Sequence, residues 1–353
     1  MGVNEIKAAV LETIGSIRIE DRPEPQYQEG DMILKTEVCG LCRTDMKAYT
    51  IGQRDLRLPR VLGHEITATV VEACSQTGFR PGDRVQVSPG VPCGNCHFCR
   101  QGLDHLCDRV EIMGFHRDGG FQEYLHIPAA AAQRGILNHI PAGLSFEEAC
   151  MSEPLACAIN MQDALHVGHG DAVLIWGGGP LGILNARLAR SRGAEEIFIV
   201  ENHPDRIMRL QDLENRCHLL ADLEGLRKVL TVITDRGKAD VVIPCCPDPD
   251  AFRSSLQVCS KRGRIGFFSG MSQQPGFTND EWNLLHYLEL TVIGAYGCSI
   301  RNNRFAMQLM ERGDVVVKDL ISRRIGLDEL QEGLDLIAAG KEMKIAMDMK
   351  KGR

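Results

Sequence analysis

Short apolar–polar alternations mark the first part of the chain. Residues 33–38 (Ile-Leu-Lys-Thr-Glu-Val), 67–72 (Thr-Ala-Thr-Val-Val-Glu) and Arg84–Val87 each predict a strand, the last following the turn Arg80-Pro81-Gly82-Asp83. Gly, Pro and β-branched residues are frequent up to about residue 150, which predicts a folded-over β domain. Near residue 155 the pattern changes. Ala172–Trp176 is a continuous apolar run of the kind that both faces of a parallel sheet bury. A glycine-rich turn and a helical stretch over 181–192 follow it, and 197–200, 240–243 and 264–268 repeat the buried-strand pattern. Strands alternating with helices predict βαβ units and a parallel sheet. The tail from about residue 295 lacks that alternation and is expected to return to the first domain. The reading is therefore a first, mainly β domain of 1–155 plus 295–353 and a second, parallel-sheet domain of 156–294.

Composition narrows the class without changing that outline. The chain has 353 residues, 25% charged and 44% hydrophobic, which suits two globular domains with full cores. A formal net charge of -7 argues against a nucleic-acid partner. No apolar run is long enough to cross a bilayer, and neither end carries a targeting or lipidation signal, so a cytoplasmic location is expected. Fourteen cysteines are many for such a chain. In a reducing compartment, clustered cysteines point to metal and scattered ones to the core.

One cluster is compact. Cys93, Cys96, Cys99 and Cys107 are separated by two, two and seven residues, and four thiolates at such intervals can wrap a tetrahedral zinc. Gly94 and Gly102 permit the tight turns this needs. A fully ligated ion has no open position, so this zinc is expected to be structural. His97 and His105, in the same lobe, are read as surface residues, and Cys245-Cys246 as packing near the cofactor.

Three further pieces are dispersed: Cys39-Gly40-Leu41-Cys42-Arg43-Thr44-Asp45, Gly63-His64-Glu65 and Glu153-Pro154-Leu155. A glycine-rich loop, Gly177-Gly178-Gly179-Pro180-Leu181-Gly182, follows them after a buried strand and at the start of a helix. Gly177 permits the turn, Gly179 lets the backbone approach a pyrophosphate, Gly182 lets helix and strand pack, and the helix N-terminus at Pro180 and Leu181 receives the phosphates. Glu201, nineteen positions after Gly182, stands where an acid accepts the ribose hydroxyls and disfavours a 2′-phosphate, pointing to NAD; Arg206 is the residue that could favour NADP instead.

In this order the motifs resemble the zinc-containing medium-chain dehydrogenases, with the sorbitol and threonine dehydrogenase-like branch nearest, over almost the whole chain. The resemblance implies a Rossmann doubly wound parallel sheet plus a mainly β, GroES-like catalytic domain. It makes Cys42 and His64 ligands of a catalytic zinc, with Glu65 and Glu153 filling the remaining places directly or through water. Thr44 would accept the alcohol proton, Asp45 would hold the ring of His64, and Cys39 would be core. Such a zinc keeps one position open and makes a bound alcohol more acidic, while the nicotinamide takes the hydride. Two zinc ions per subunit follow.

Lys47 replaces a histidine that many relatives use as a proton relay, and Ala68 occupies a place that is often glycine. The run 290–293 reads as an edge strand, which the resemblance implies could pair across a homodimer, or within a homotetramer. The substrate expected is a polyol or sugar-derived secondary alcohol, oxidised to a ketone. Glu153 makes the pocket polar, while Gly297-Cys298 replaces the Arg-Tyr pair usual in sorbitol dehydrogenases. An amino alcohol such as threonine is the alternative, suggested by Tyr49, although those relatives tend to carry Asp-Pro-Leu. A non-catalytic nucleotide-binding protein is the remote one; it has no need to keep the dispersed zinc set together.

Overall fold

The structure is a computed structural model that describes residues 5–270 and 276–351. Residues 1–4 and 352–353, which bear on targeting and lipidation, lie outside the described residues. The chain divides into two compact units: Met1–Ala156 with Cys298–Gly313 and Val317–Arg353, and Cys157–Gly297 with Asp314–Val316. Among the described residues no helix is long and apolar enough to cross a membrane.

The first unit is built around the strand Met32–Leu41, buried along almost its whole length. It pairs antiparallel with Glu65–Ala73, Tyr124–Ile127 and Lys344–Asp348. The sheet runs on through Arg84–Val87 to Leu137–His139 on one side and to Ile321–Ile325 on the other. A three-stranded sheet of Ser16–Pro23, Glu5–Thr13 and Arg60–Val61 lies beside it in the chain order. The core between them is aliphatic: Leu11, Met32, Leu34, Leu41, Ile66, Val70 and Met347 are all at most 1% exposed. Burial of that kind stabilises by about 25 cal/mol per Å² of apolar surface.

Register in this sheet decides which motifs meet. Gly40 lies opposite Glu65 on one side and Ala346 on the other. The strand then runs directly into the helix Arg43–Ile51, with Cys42 at its N-cap. Two motifs distant in sequence are thereby laid side by side by backbone pairing alone.

The second unit contains a six-stranded, wholly parallel sheet in the order His218–Leu220, Glu196–Val200, Ala172–Trp176, Ala239–Pro244, Cys259–Phe267, Thr291–Gly294. Counted from Ala172–Trp176 as the first strand, the order is the doubly wound 3-2-1-4-5-6. The order reverses between Ala172–Trp176 and Ala239–Pro244, and in open parallel sheets the carboxyl ends of the strands at such a switch point are where ligands bind. The short strand His218–Leu220 is a finding that the sequence pattern does not single out. It is three half-buried residues, joined to its neighbour by the stacked rings of Phe198 and His218, 4.8 Å apart.

Candidate metal and nucleotide sites

Cys42, His64 and Glu65 converge: one donor atom from each lies within 4.8 Å of the others. Asp45 organises this arrangement. It is fully buried in the first turn of the helix Arg43–Ile51, where one carboxylate oxygen accepts the N–H of Cys42 at 3.0 Å in a capping box. The other oxygen accepts the N–H of Gly63 at 3.3 Å and faces Nδ1 of His64 at 3.1 Å. With Nδ1 held by Asp45, Nε2 is the nitrogen left to ligate a metal. Burial opposes a charge on His64, yet the carboxylate of Asp45 and the sulfur of Cys42 raise its pKa well above the ordinary value. The surroundings are anionic and draw positive charge to the ring, which fits a metal cation. Thr44 lies beside the sulfur, its Oγ1 3.5 Å from Cys42 Sγ.

Glu65 has a partner that the motifs do not reveal. Its carboxylate is fully buried and forms an ion pair with Nζ of Lys344, itself 4% exposed. Burial disfavours the ammonium, but Glu65 and then Cys42 raise the pKa of Lys344 above the ordinary lysine value. Apart from that ion pair, neither oxygen of Glu65 accepts a hydrogen bond among the described residues. Gly40 makes the pair possible, because a Cβ there would collide with Glu65 Oε2.

Glu153 stands outside the converging trio. It is buried in the first turn of the helix Ser152–Ala164, where the helix dipole favours an anion. Its Oε1 lies 3.8 Å from Sγ of Cys298. Cys39 is fully buried, and its thiol is pushed well above the usual range by burial and then by Asp45, consistent with core. Lys47 is on the exposed side of its helix. The hydroxyl of Tyr49 donates to Gly15 O at 3.0 Å.

Sγ atoms of Cys93, Cys96, Cys99 and Cys107 also lie within 4.8 Å of one another. The N–H groups of Cys93 and Arg109 point at Cys107 Sγ, at 3.2 and 3.3 Å. The N–H of Asn95 lowers the Cys93 thiol to about 6, so this sulfur is a thiolate at neutral pH. Gly94 has φ +76°, and the guanidinium of Arg134 covers the place of its missing side chain. The N–H of Cys99 lowers the Cys96 thiol as well, whereas burial raises Cys99 to about 12 and raises Cys107. Four sulfurs gathered this closely are the soft donor set that fits one zinc. His97 is exposed, as expected, but His105 is half-buried in the turn Asp104–Leu106, and burial lowers its pKa. That corrects the surface reading: the short 3-10 turn rolls the ring inward, where its Nδ1 has no hydrogen-bond partner among the described residues.

In the second unit the glycine-rich loop has the form its residues predict. Gly177 has φ +96°, and its N–H donates to Val200 O at 2.8 Å. A Cβ at Gly182 would collide with Gly177 O. Gly179 caps the helix Pro180–Ser191, and the space beside it is open within 4 Å. The N–H groups of Leu181 and Gly182 lie in the first turn and lack intrahelical acceptors, which suits a phosphate. Glu201 is 5% exposed at the end of its strand. It accepts the N–H groups of Gly178 at 3.0 Å and His203 at 2.9 Å, with Nη1 of Arg206 at 3.5 Å. Cys245 follows the strand Ala239–Pro244, with its N–H on Trp176 O at 2.8 Å, and burial pushes its thiol well above the usual range.

Residues 28–135 match the family described as Alcohol dehydrogenase GroES-like domain, and residues 180–312 match Zinc-binding dehydrogenase. An L-threonine 3-dehydrogenase of Mesorhizobium japonicum is 31% identical over 336 residues, covering 94% of this chain and 95% of that protein. A structure described as a zinc-binding dehydrogenase from Sinorhizobium meliloti 1021, bound to NADP, is 29% identical. It superposes with TM-score 0.86, over 98% of this chain and 99% of that one. The 2R,3R-butanediol dehydrogenase of Bacillus subtilis shares the fold at TM-score 0.86 and 24% identity, over 97% of this chain and 99% of that one.

Proposed function

Since this chain belongs to the zinc-binding alcohol dehydrogenase family, we propose that it oxidises a secondary alcohol bearing a neighbouring polar group to a ketone, with NAD as acceptor. The observation that carries this reading is the convergence of Cys42, His64 and Glu65 around an Asp45-held imidazole. Cys42 and His64 would hold a catalytic zinc, with Glu65 and Glu153 as further carboxylates, and Cys93, Cys96, Cys99 and Cys107 a structural one. When bound, the catalytic zinc would acidify the alcohol and the nicotinamide would accept hydride. Thr44 Oγ1, beside the sulfur of Cys42, would take the hydroxyl proton by hydrogen bond. Asp45 keeps His64 in one tautomer and orientation.

Glu201 supports NAD. Its carboxylate is fixed by two backbone N–H groups at the strand end and neutralises Arg206, the one residue proposed to favour a 2′-phosphate. The NADP in the Sinorhizobium relative makes the comparison worth measuring. Turnover at low, equal NAD and NADP should favour NAD, and Glu201→Ala should narrow the gap. Faster turnover with NADP in the unaltered protein would reverse the assignment.

The buried carboxylate of Glu153 supports a polyol or sugar-derived substrate, since polar pockets reject alcohols that cannot satisfy them. The amino-alcohol reading is favoured by the threonine dehydrogenase relative. A panel of polyols, amino alcohols and simple alcohols, read as NADH absorbance, separates the two. A preference of about tenfold or more for a monofunctional primary alcohol, about 1.4 kcal/mol, would remove both.

A further inference from the structure

A buried line of side chains in the first unit ends on Glu153. Nε of Arg304 donates to Asn138 Oδ1 at 3.3 Å, and Asn138 Nδ2 donates to Gln86 Oε1 at 3.0 Å. Gln86 Nε2 donates to Asn303 Oδ1 at 3.1 Å, and Asn303 Nδ2 donates to Cys298 Sγ at 3.2 Å. The Cys298 thiol then faces Glu153 Oε1 at 3.8 Å. Gln86 and Asn303 are fully buried, Asn138 is 3% exposed, and Cys298 and Glu153 are each 8% exposed. Arg304, at the far end, reaches the surface.

Every bond in this line has the same direction. Each amide accepts from the side nearer Arg304 and donates toward Glu153. A cation stands at one end and a carboxylate at the other. Hydrogen bonds aligned head to tail polarise one another, and more strongly in a low-dielectric interior. Cys298 is the residue where this alignment matters. A thiol is a weak donor that can also accept. Because Asn303 donates to the sulfur, the S–H is left to point at Glu153. A merely apolar position at 298 would have no use for a buried amide aimed at it, since an unmet N–H there would be costly.

We propose that Cys298 is a positioning residue for Glu153, and that Asn303, Gln86 and Asn138 keep its S–H directed at that carboxylate. This rests on the reading that Glu153 belongs to the alcohol site. Cys298 would thus replace a substrate-facing side chain with one that fixes the orientation of a carboxylate, which narrows the polar pocket to one arrangement of hydroxyl or amino groups.

Infrared difference spectra test the contact without any substrate. Subtracting the spectrum of Cys298→Ser from that of the wild type isolates one S–H stretching band. That band should lie at the lower frequency of a hydrogen-bonded thiol and move upward in Glu153→Ala. A band at the free-thiol frequency, or one indifferent to Glu153→Ala, would overturn the proposal even if the enzyme is fully active. Kinetics test the consequence. On the best substrate of the panel, Cys298→Ala should lower kcat/KM about tenfold, the scale of one hydrogen bond, and Cys298→Ser should restore most of it. In a Glu153→Gln background Cys298→Ala should do little more. Equal losses in both backgrounds would mean that Cys298 acts by packing alone. A shifted infrared band together with an unaltered kcat/KM for Glu153→Gln would leave the contact standing and refute the role of Glu153 in the alcohol site, and with it the positioning role.

Discussion

Single side chains carry charge into the interior of the first unit, and their partners determine what that costs. Lys344 and Glu65 are both buried, so each is tolerated only through the other. Lys344→Met should therefore destabilise the metal-free protein by about 3–5 kcal/mol, because Glu65 is then left as an unpaired buried anion. Adding Glu65→Gln should recover part of that loss in urea melts; no recovery would mean that packing of the lysine stem, not charge, dominates. Asp31 shows the pH side of the same physics. Burial opposes its charge, but His126 Nε2 at 2.6 Å and the Ala129 N–H at 2.9 Å hold its carboxyl below the ordinary value. A depressed carboxyl stabilises the fold above its unfolded pKa of about 3.9, and loses that contribution as pH falls through the folded value. Asp31→Asn should thus cost about 1–2 kcal/mol at pH 7 and progressively less below about pH 4, checked by melts across that range.

At the scale of elements, two cross-strand relations set the chemistry. Pairing of Gly40 with Glu65 sets the Cys39-Gly40-Leu41-Cys42 run beside Gly63-His64-Glu65, and the helix starting after Cys42 brings Asp45 under His64. Pairing of Asn138 with Gln86 builds a polar contact that the helix Ile300–Glu311 docks onto through Asn303. Gln86→Leu would leave one N–H of Asn138, whose amide still reaches Ser88 Oγ at 3.1 Å, without an acceptor and the carbonyl of Asn303 without a donor. It should cost about 2–4 kcal/mol, on the scale of two buried unsatisfied groups. A change under about 0.5 kcal/mol in denaturant melts would show that water repairs the gap.

For the whole molecule, the two candidate zinc sites should respond differently to metal removal. The four-cysteine lobe has little core of its own: its helix His97–Arg100 buries no residue. Its thiolates need a cation to sit together, so Cys96→Ala should lose one zinc and lower Tm, by roughly 2–4 °C for each kcal/mol lost. The Cys42 site is built on a buried sheet and a capped helix. Cys42→Ala should lose the other zinc and all activity with a much smaller change in Tm. Metal analysis showing one zinc or none in the metal-replete wild type would refute the two-site reading.

Local sequence determined the donor groups, because their chemistry is local. Four cysteines within fifteen residues, or glycines at the one spacing a pyrophosphate turn tolerates, describe their own backbone. The alternation of apolar runs and helices likewise implied the parallel sheet, since burial on both faces leaves a continuous apolar strand. The strand His218–Leu220 escaped it, since three residues are too few to carry a period. Tertiary structure alone decided which buried charge met which. Lys344 reaches Glu65 because the last strand, Lys344–Asp348, pairs beside Met32–Leu41, and Cys298 reaches Glu153 because the helix Ile300–Glu311 returns to the first unit. Neither residue carries a motif, and neither pairing has a spacing to read. A buried ion or thiol takes its role from the group that compensates it, and that group is chosen by the packing of distant segments.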